Sequence, residues 1–253
     1  MKLIINGNII NYLDLGNREG KILVFLHGWL DSLNSFKKVS ELLKKDYRII
    51  LLDLPGFGES TLENKKADVS YYVNFIKNFI EKLNIIPYAY VGHSFGGRIL
   101  LKGLGMNILN SEKLILVGSA GIIENKNFKN ISLIFLSKCF KFILNLPIIK
   151  NYKEKIRNRF YKNIGSDYLN STHLQEVYKN ILKEDLQIYA KNIKTKTLLI
   201  YGENDFSTPI KYGQIFNKLI ISSELVIIKN STHFVHQEKP EETALYIDKF
   251  LQK

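Results

Sequence analysis

The 253-residue chain predicts an α/β fold: a mostly parallel central sheet opened by an antiparallel hairpin, with helices on both faces and one helical insertion. Three observations carry that expectation. Apolar runs of strand length alternate with stretches of helical spacing as far as residue 121, and again from residue 191 onward. Runs such as Ile22-Leu23-Val24-Phe25-Leu26 lack any polar alternation, as a strand covered on both faces does. Between the two alternating parts, residues 122–190 show helical patterns and no convincing strand. The expected division is a core of residues 1–121 and 191–253 with a helical cap of residues 122–190 inserted into it.

Taken in order, residues 2–13 alternate around Asn6-Gly7, the strongest short hairpin signal. The strand of residues 21–26 ends in His27-Gly28-Trp29, and a helix follows over 35–44, with Phe36, Val39, Leu42 and Leu43 on one face. A second buried strand, 47–54, stops at Pro55-Gly56-Phe57-Gly58. Asp68 or Ser70 caps a helix reaching about residue 84. The strand Pro87–Val91 leads through a tight turn into a helix ending near Ile108. The strand Lys113–Val117 closes on Gly118-Ser119-Ala120-Gly121. After the insertion come a strand at 197–201, a helix at 210–219, a strand at 225–228 and a last helix from Pro240.

Sheets of this kind bind ligands beyond the carboxyl ends of their strands. One such end carries Val91-Gly92-His93-Ser94-Phe95-Gly96-Gly97, a serine centred in G-x-S-x-G between strand and helix. The turn is tight enough that Gly92 and Gly96 must lack side chains, and the helix N-terminus aims free N–H groups at the same point. A serine hydroxyl is a poor nucleophile without a base, and the base needs an orienting acid. The histidines are His27, His93, His173, His233 and His236. His93 adjoins the serine and is expected to point away from it, whereas His233 and His236 both follow the last strand. Asp205 follows the strand of 197–201. Asp53 also ends a strand but precedes the serine and adjoins a Pro-Gly loop. Ser94, Asp205 and His233 thus fall past three strand ends in the order Ser, Asp, His. Each has a plainer reading, Asp205 as a helix cap, His233 as a loop histidine and Ser94 as part of a glycine-rich turn. An oxyanion hole is expected from the Phe95 N–H and, after His27-Gly28, from the Trp29 N–H.

The net charge is +12. Residues 125–163 hold ten Lys or Arg against one acid, Glu154. No nucleic-acid motif accompanies that excess, so the leading reading is a solvated basic face and no nucleic-acid partner is expected. A single cysteine, Cys139, excludes an internal disulfide, and no apolar run is long enough to span a bilayer. The polar turn close behind Met1 argues against a signal peptide, which makes the cytoplasm the expected location.

These residues resemble the α/β-hydrolase superfamily. The matching pieces are Phe25-Leu26-His27-Gly28-Trp29, Asp53-Leu54-Pro55-Gly56-Phe57-Gly58-Glu59-Ser60, the Ser94 turn, Tyr201-Gly202-Glu203-Asn204-Asp205 and Ser231-Thr232-His233, with Glu238 and Pro240 behind them. The resemblance covers about residues 20–121 and 190–252. It implies an acyl transfer in which Ser94 attacks a carbonyl, His233 is the base and Asp205 orients it, with no metal or organic cofactor. Serine at position 94 argues against the relatives that use aspartate there. A carboxylesterase is the broad expectation. An esterase for pimeloyl-acyl carrier protein methyl ester and a carbon–carbon bond hydrolase of ring-cleavage products are alternatives, and a small-molecule receptor on the same fold is an alternative of another class. As an alternative to a solvated face, Lys150, Lys153, Lys155, Arg157 and Arg159 would lie on the outer face of the cap and receive an acidic carrier protein. The apolar stretch Ile131–Leu146 reads as a cap helix over the site, or as a lid.

Overall fold

The computed structural model describes residues 1–123 and 172–253. The chain divides into two compact units, residues 1–122 with 176–253, and residues 123–175. The basic group from Lys150 to Arg159, the apolar stretch Ile131–Leu146 and Cys139 lie outside the described residues.

The first unit is built on an eight-stranded sheet. Its strands are β1 (Lys2–Ile5), β2 (Asn8–Gly16), β3 (Ile22–Leu26), β4 (Arg48–Leu52), β5 (Ala89–His93), β6 (Lys113–Val117), β7 (Lys196–Gly202) and β8 (Ser223–Ile228). They lie in the order β1-β2-β4-β3-β5-β6-β7-β8. β2 pairs antiparallel with β1 and with β4, and the remaining neighbours are parallel. Asn6 and Gly7 both take positive φ, 50° and 80°, as a two-residue hairpin turn requires. The parallel strands β3 to β8 all run the same way, so the loops after β3, β5, β6, β7 and β8 emerge at one end.

The described helices are α1 (Lys37–Leu43), α2 (Val69–Leu83), α3 (Phe95–Gly105), α4 (Thr172–Leu182), α5 (Gln187–Ala190), α6 (Ile210–Leu219), α7 (Val235–Glu238) and α8 (Pro240–Leu251). The helix expected over 35–44 begins as a 3-10 turn, Leu33–Phe36, because the Ser32 side chain caps the Asn34 N–H. Asp68 is the cap of α2, accepting from Tyr71 N at 2.8 Å, and Asn84 ends it in the left-handed conformation. The helix after Ser94 is shorter than expected, since Met106 already leaves helical geometry and Asn107 has φ 55°. The single turn α7 has no sequence signal of its own.

Residues 176–190, read from the sequence as part of the insertion, lie in the first unit. Polar contacts fix them there. Arg98 Nη2 donates to the carbonyls of Ile181 and Glu184 at 2.6 Å each, the Lys102 ammonium bonds Ser70 Oγ and the Glu184 carboxylate, and Leu186 N donates to Gly121 O.

Successive strand residues face opposite sides of the sheet. Leu23, Phe25, Ile49, Leu51, Val91, Ile115 and Val117 pack with Phe36, Val39 and Leu43 from the α1 segment and Ile247, Phe250 and Leu251 of α8. Val24, Ile50, Tyr90, Leu114 and Leu116 are equally buried on the alternate side. Burial on both faces explains the unbroken apolar runs.

Asp53, weighed above as a candidate acid, has a different task. It is 1 % exposed. Its Oδ1 accepts from Leu33 N at 2.7 Å, and Oδ2 accepts from Glu59 N at 2.9 Å and Asn11 Nδ2 at 2.8 Å. A Cβ at Gly58, itself at φ 55°, would lie 2.3 Å from this carboxylate. His27 Nε2 accepts from Leu54 N at 2.9 Å, tying the loop after β3 to the loop after β4. Asp53→Ala orphans three donors and is expected to cost about 3 kcal/mol or more in urea unfolding. Asp68→Ala, which removes one exposed cap, is expected to cost about 1 kcal/mol. Equal losses would contradict this account of Asp53.

Candidate active site

Ser94 stands between β5 and α3 with φ 48° and ψ −102°. Few non-glycine residues occupy that region, and holding one there costs about 1–3 kcal/mol. Its surroundings fix it. Ser94 N donates to Val117 O at 3.0 Å, Ala120 N donates to Ser94 O at 3.3 Å, and Gly96 N donates to His27 O at 3.1 Å. A Cβ at Gly96 would lie 2.2 Å from Leu26 O, and one at Gly92 would lie 2.8 Å from Gly96 C. Both positions therefore require glycine, because the start of α3 presses against β3 and β5.

Asp205 and His233 come together beside this turn. His233 Nδ1 donates to Asp205 Oδ2 at 2.8 Å, and the Asp205 side chain is wholly buried. Asp205 Oδ1 accepts from the backbone N–H of Ser207 and of Thr208, each at 2.8 Å. Burial alone would raise the Asp205 carboxyl. The hydrogen bond and charge of His233, with the Thr208 donors, outweigh that effect and hold it below its usual value. Thr208, which the sequence reading missed, lies 2.7 Å from Asp205 Oδ2, 3.0 Å from Gly118 O and 3.1 Å from His233 Nδ1 through its Oγ1. A threonine three residues after the acid and just before Pro209 is the local signal that was available. Glu238 braces the loop of His233 by accepting from Thr232 N at 2.7 Å.

Gly118 links the pair to the serine. It follows Val117, the acceptor for Ser94 N, and a Cβ there would lie 3.4 Å from both Asp205 Oδ2 and His233 Nδ1. The side chains of Asp205 and His233 are thus joined directly. Ser94 shares their end of the sheet, and no hydrogen bond joins its hydroxyl to His233 in this structure. Catalytic contacts of this kind are often open without substrate and tighten in the reacting complex.

The expected oxyanion donors flank the turn. Phe95 N is the first amide of α3, and its ring meets that of Trp29 at 5.5 Å. A Cβ on Gly28 would lie 3.5 Å from Ser94 Cβ, so the His27-Gly28-Trp29 loop runs beside the serine. The Trp29 ring also packs on Phe57 at 4.9 Å and Tyr178 at 5.1 Å, giving this side of the site an apolar aromatic wall.

The other histidines support rather than join the pair. His27 accepts from Leu54 N through Nε2, so Nδ1 carries the proton and donates to Gly28 O at 2.7 Å. His93 does not bond Ser94. Its Nε2 donates to His233 O at 3.0 Å, and its ring lies 4.7 Å from His233 and 4.3 Å from His236. His236 lies against Phe36, with Nε2 2.6 Å from Ser35 Oγ. The side chain of His173 lies outside the described residues. Burial pushes His93 well below the ordinary histidine value, and the charges of His236 and His233 push it further. Burial, with His233, lowers His236 to about 3.

An unfolded histidine titrates near pH 6.5. Below that value the unfolded chain takes up protons that folded His93 and His236 refuse. Their contribution to stability is therefore complete above about pH 6.5 and is lost as pH falls toward the folded values. Lowering the pH from 7 to 5 is expected to reduce stability in urea unfolding, by about 2 kcal/mol for His236, whose folded value is about 3, with His93 acting in the same direction. His236→Gln should flatten the slope, and a wild-type stability that does not change over this range would contradict the burial of neutral imidazoles. The share from Asp205, whose value is depressed, is lost only below about pH 4.

The family described as alpha/beta hydrolase fold matches residues 21–172. A pimeloyl-[acyl-carrier protein] methyl ester esterase of Wigglesworthia glossinidia brevipalpis is 29% identical over 91% of this chain and 93% of its own. A 2-hydroxy-6-oxo-6-(2'-aminophenyl)hexa-2,4-dienoic acid hydrolase of Metapseudomonas resinovorans is 26% identical over 96% of this chain and 87% of its own. Among solved structures, an esterase from Exiguobacterium antarcticum superposes with a TM-score of 0.77 at 24% identity, covering 98% of this chain and 97% of that one. At that identity the superposition bears on the fold alone.

Proposed function

The chain belongs to the α/β-hydrolase fold family, and from that premise we propose that it is a serine hydrolase whose nucleophile is Ser94. The observation that carries this reading is the buried Asp205 carboxylate bonded at 2.8 Å to His233 beside the strained Ser94 turn. Asp205 holds Nδ1 of His233 protonated, which leaves Nε2 basic. In the reaction, Ser94 Oγ attacks a substrate carbonyl while His233 takes its proton. The Phe95 and Trp29 N–H groups stabilise the oxyanion. Collapse of the tetrahedral intermediate expels the leaving group, which takes the proton from His233, and an acyl group stays on Ser94. Water, deprotonated by His233, then releases the acid. Each oxyanion donor contributes about 3 kcal/mol to the transition state. Thr208 keeps the Asp205 carboxylate in register with the imidazole.

For the substrate we propose an ester of an acyl chain borne on an acidic carrier, in preference to a general small ester. The support is the similarity to the pimeloyl-[acyl-carrier protein] methyl ester esterase over almost the whole chain, together with the net charge of +12, which favours encounter with an acidic protein. A second reading, hydrolysis of a carbon–carbon bond in a ring-cleavage product, draws on the similarity to the dienoic acid hydrolase. No helix among the described residues is long and apolar enough to cross a membrane, and the proposed setting is the cytoplasm.

Steady-state assays separate these readings. Ser94→Ala is expected to lower kcat on any true substrate by about a million-fold, and Asp205→Asn by about ten-thousand-fold. The carrier-borne methyl ester should be turned over faster than the free methyl ester, with a kcat/KM that falls as salt rises. Turnover that survives in Ser94→Ala would reject the nucleophile. Faster cleavage of a dienoate than of either ester would favour the second reading, and a single slow turnover coupled to a conformational change would favour a receptor.

A further inference from the structure

Beneath the loop of His233 lies a cluster that the proposed chemistry does not use. A donor atom from each of Asp31, His93 and His236 lies within 4.8 Å of the other two. The three residues come from separate parts of the chain, the loop after β3, the last position of β5 and the turn α7. We infer that they form a binding site for a first-row transition-metal dication such as Zn2+.

The state of the imidazoles carries the inference. His93 is 1 % and His236 0 % exposed, yet the Nδ1 atoms of both have no hydrogen-bond partner among the described residues. A buried nitrogen without a partner is costly, by about 1–3 kcal/mol. The partner of His93 Nε2 is a carbonyl, His233 O, which only accepts. Nε2 therefore carries the proton, and Nδ1 of the neutral ring presents a bare lone pair, the form that binds metal. Position 28 leaves that lone pair uncovered, because a Cβ on Gly28 would lie 2.7 Å from it. In His236 the Nε2 partner is Ser35 Oγ at 2.6 Å. A hydroxyl accepts as well as donates, so Nε2–H can donate to it and free the Nδ1 lone pair in the same way. Metal-bound histidines ordinarily donate their other N–H to a carbonyl, carboxylate or similar acceptor; His93 has that arrangement through His233 O, and Ser35 Oγ offers it to His236. Low basicity, caused chiefly by burial, keeps both rings free of competing protons at neutral pH.

Asp31 supplies the anionic ligand. Its Oδ1 accepts from Ser32 N at 2.8 Å, while among the described residues Oδ2 meets only Gln237 Nε2, at the long distance of 3.4 Å. Two imidazoles and one carboxylate make a borderline-soft donor set that suits Zn2+ better than Mg2+ or Ca2+. A tetrahedral ion needs its donors about 3.3 Å apart. The three donors, within 4.8 Å of one another, would draw closer to reach that spacing, and Asp31 on its loop is the partly exposed member of the set. Three protein ligands leave a fourth position for water. A bound ion would clip the three segments together and, through the His93 bond to His233 O, stiffen the loop that carries the proposed base. The site stands whether or not Ser94 proves to be the nucleophile.

Isothermal titration of Zn2+ into the full chain, stripped beforehand with a chelator, tests this. The expected result is one ion per chain at about 1 μM affinity or better, with a rise in Tm on binding. Asp31→Asn and His236→Gln should each weaken binding at least about tenfold, with circular dichroism checking that both variants are folded. Asp31→Asn, at a partly exposed position, keeps the test valid if the buried histidine variant does not fold. Absence of stoichiometric binding would overturn the inference. So would an affinity that is the same in wild type and Asp31→Asn, since the ion would then be held elsewhere.

Discussion

Ser94 occupies a backbone conformation that an L-residue avoids, and the structure around it is arranged to keep it there. The constraint acts outward. The turn requires β5 and α3 to meet without side chains at positions 92 and 96, which brings α3 against Leu26 of β3. That contact sets where the β3 loop emerges, and so where Trp29 stands relative to Phe95. On the other side, the bond from Ser94 N to Val117 O fixes the end of β6, and Gly118 just beyond it lies against Asp205 and His233. One strained residue in this way ties together the ends of β3, β5 and β6, where the proposed chemistry takes place.

Two polar anchors hold the loops that the turn brings together. Asp53 gathers three donors from three segments and fixes the loop after β4. Asp205 gathers the Thr208 hydroxyl, two backbone amides and His233. Both are buried carboxylates at strand ends, and their partners separate them. Asp53 serves backbone amides and an asparagine, which hold a loop. Asp205 serves an imidazole that is 15% exposed at its side chain, an arrangement that can exchange a proton with a substrate.

Most of this was legible in the sequence, for physical reasons. The unbroken apolar runs exist because the sheet is covered on both faces, so the strands announce themselves. Asn6-Gly7 and the glycines at 92 and 96 mark places where a side chain cannot fit. Asp205 and His233, bonded in the structure, could be paired from the sequence because parallel strands put successive loops at the same end. What escaped notice depends on contacts between distant segments. Thr208 looks like an ordinary residue before a proline until Asp205 and Gly118 are seen beside it. The turn α7 is too short for a periodic signal. The attachment of residues 176–190 to the first unit comes from Arg98 and Lys102, whose partners lie about eighty residues away in sequence. The cluster of Asp31, His93 and His236 joins positions that share no motif.

The central claim is that Ser94 is an activated nucleophile, and covalent labelling tests it most directly. The chain would be treated with a fluorophosphonate at neutral pH, and the modified site located by mass spectrometry of the digested protein. The account predicts one phosphonyl group per chain, on Ser94, formed much more slowly in His233→Ala. A label on another residue, or none on the folded chain, would contradict it.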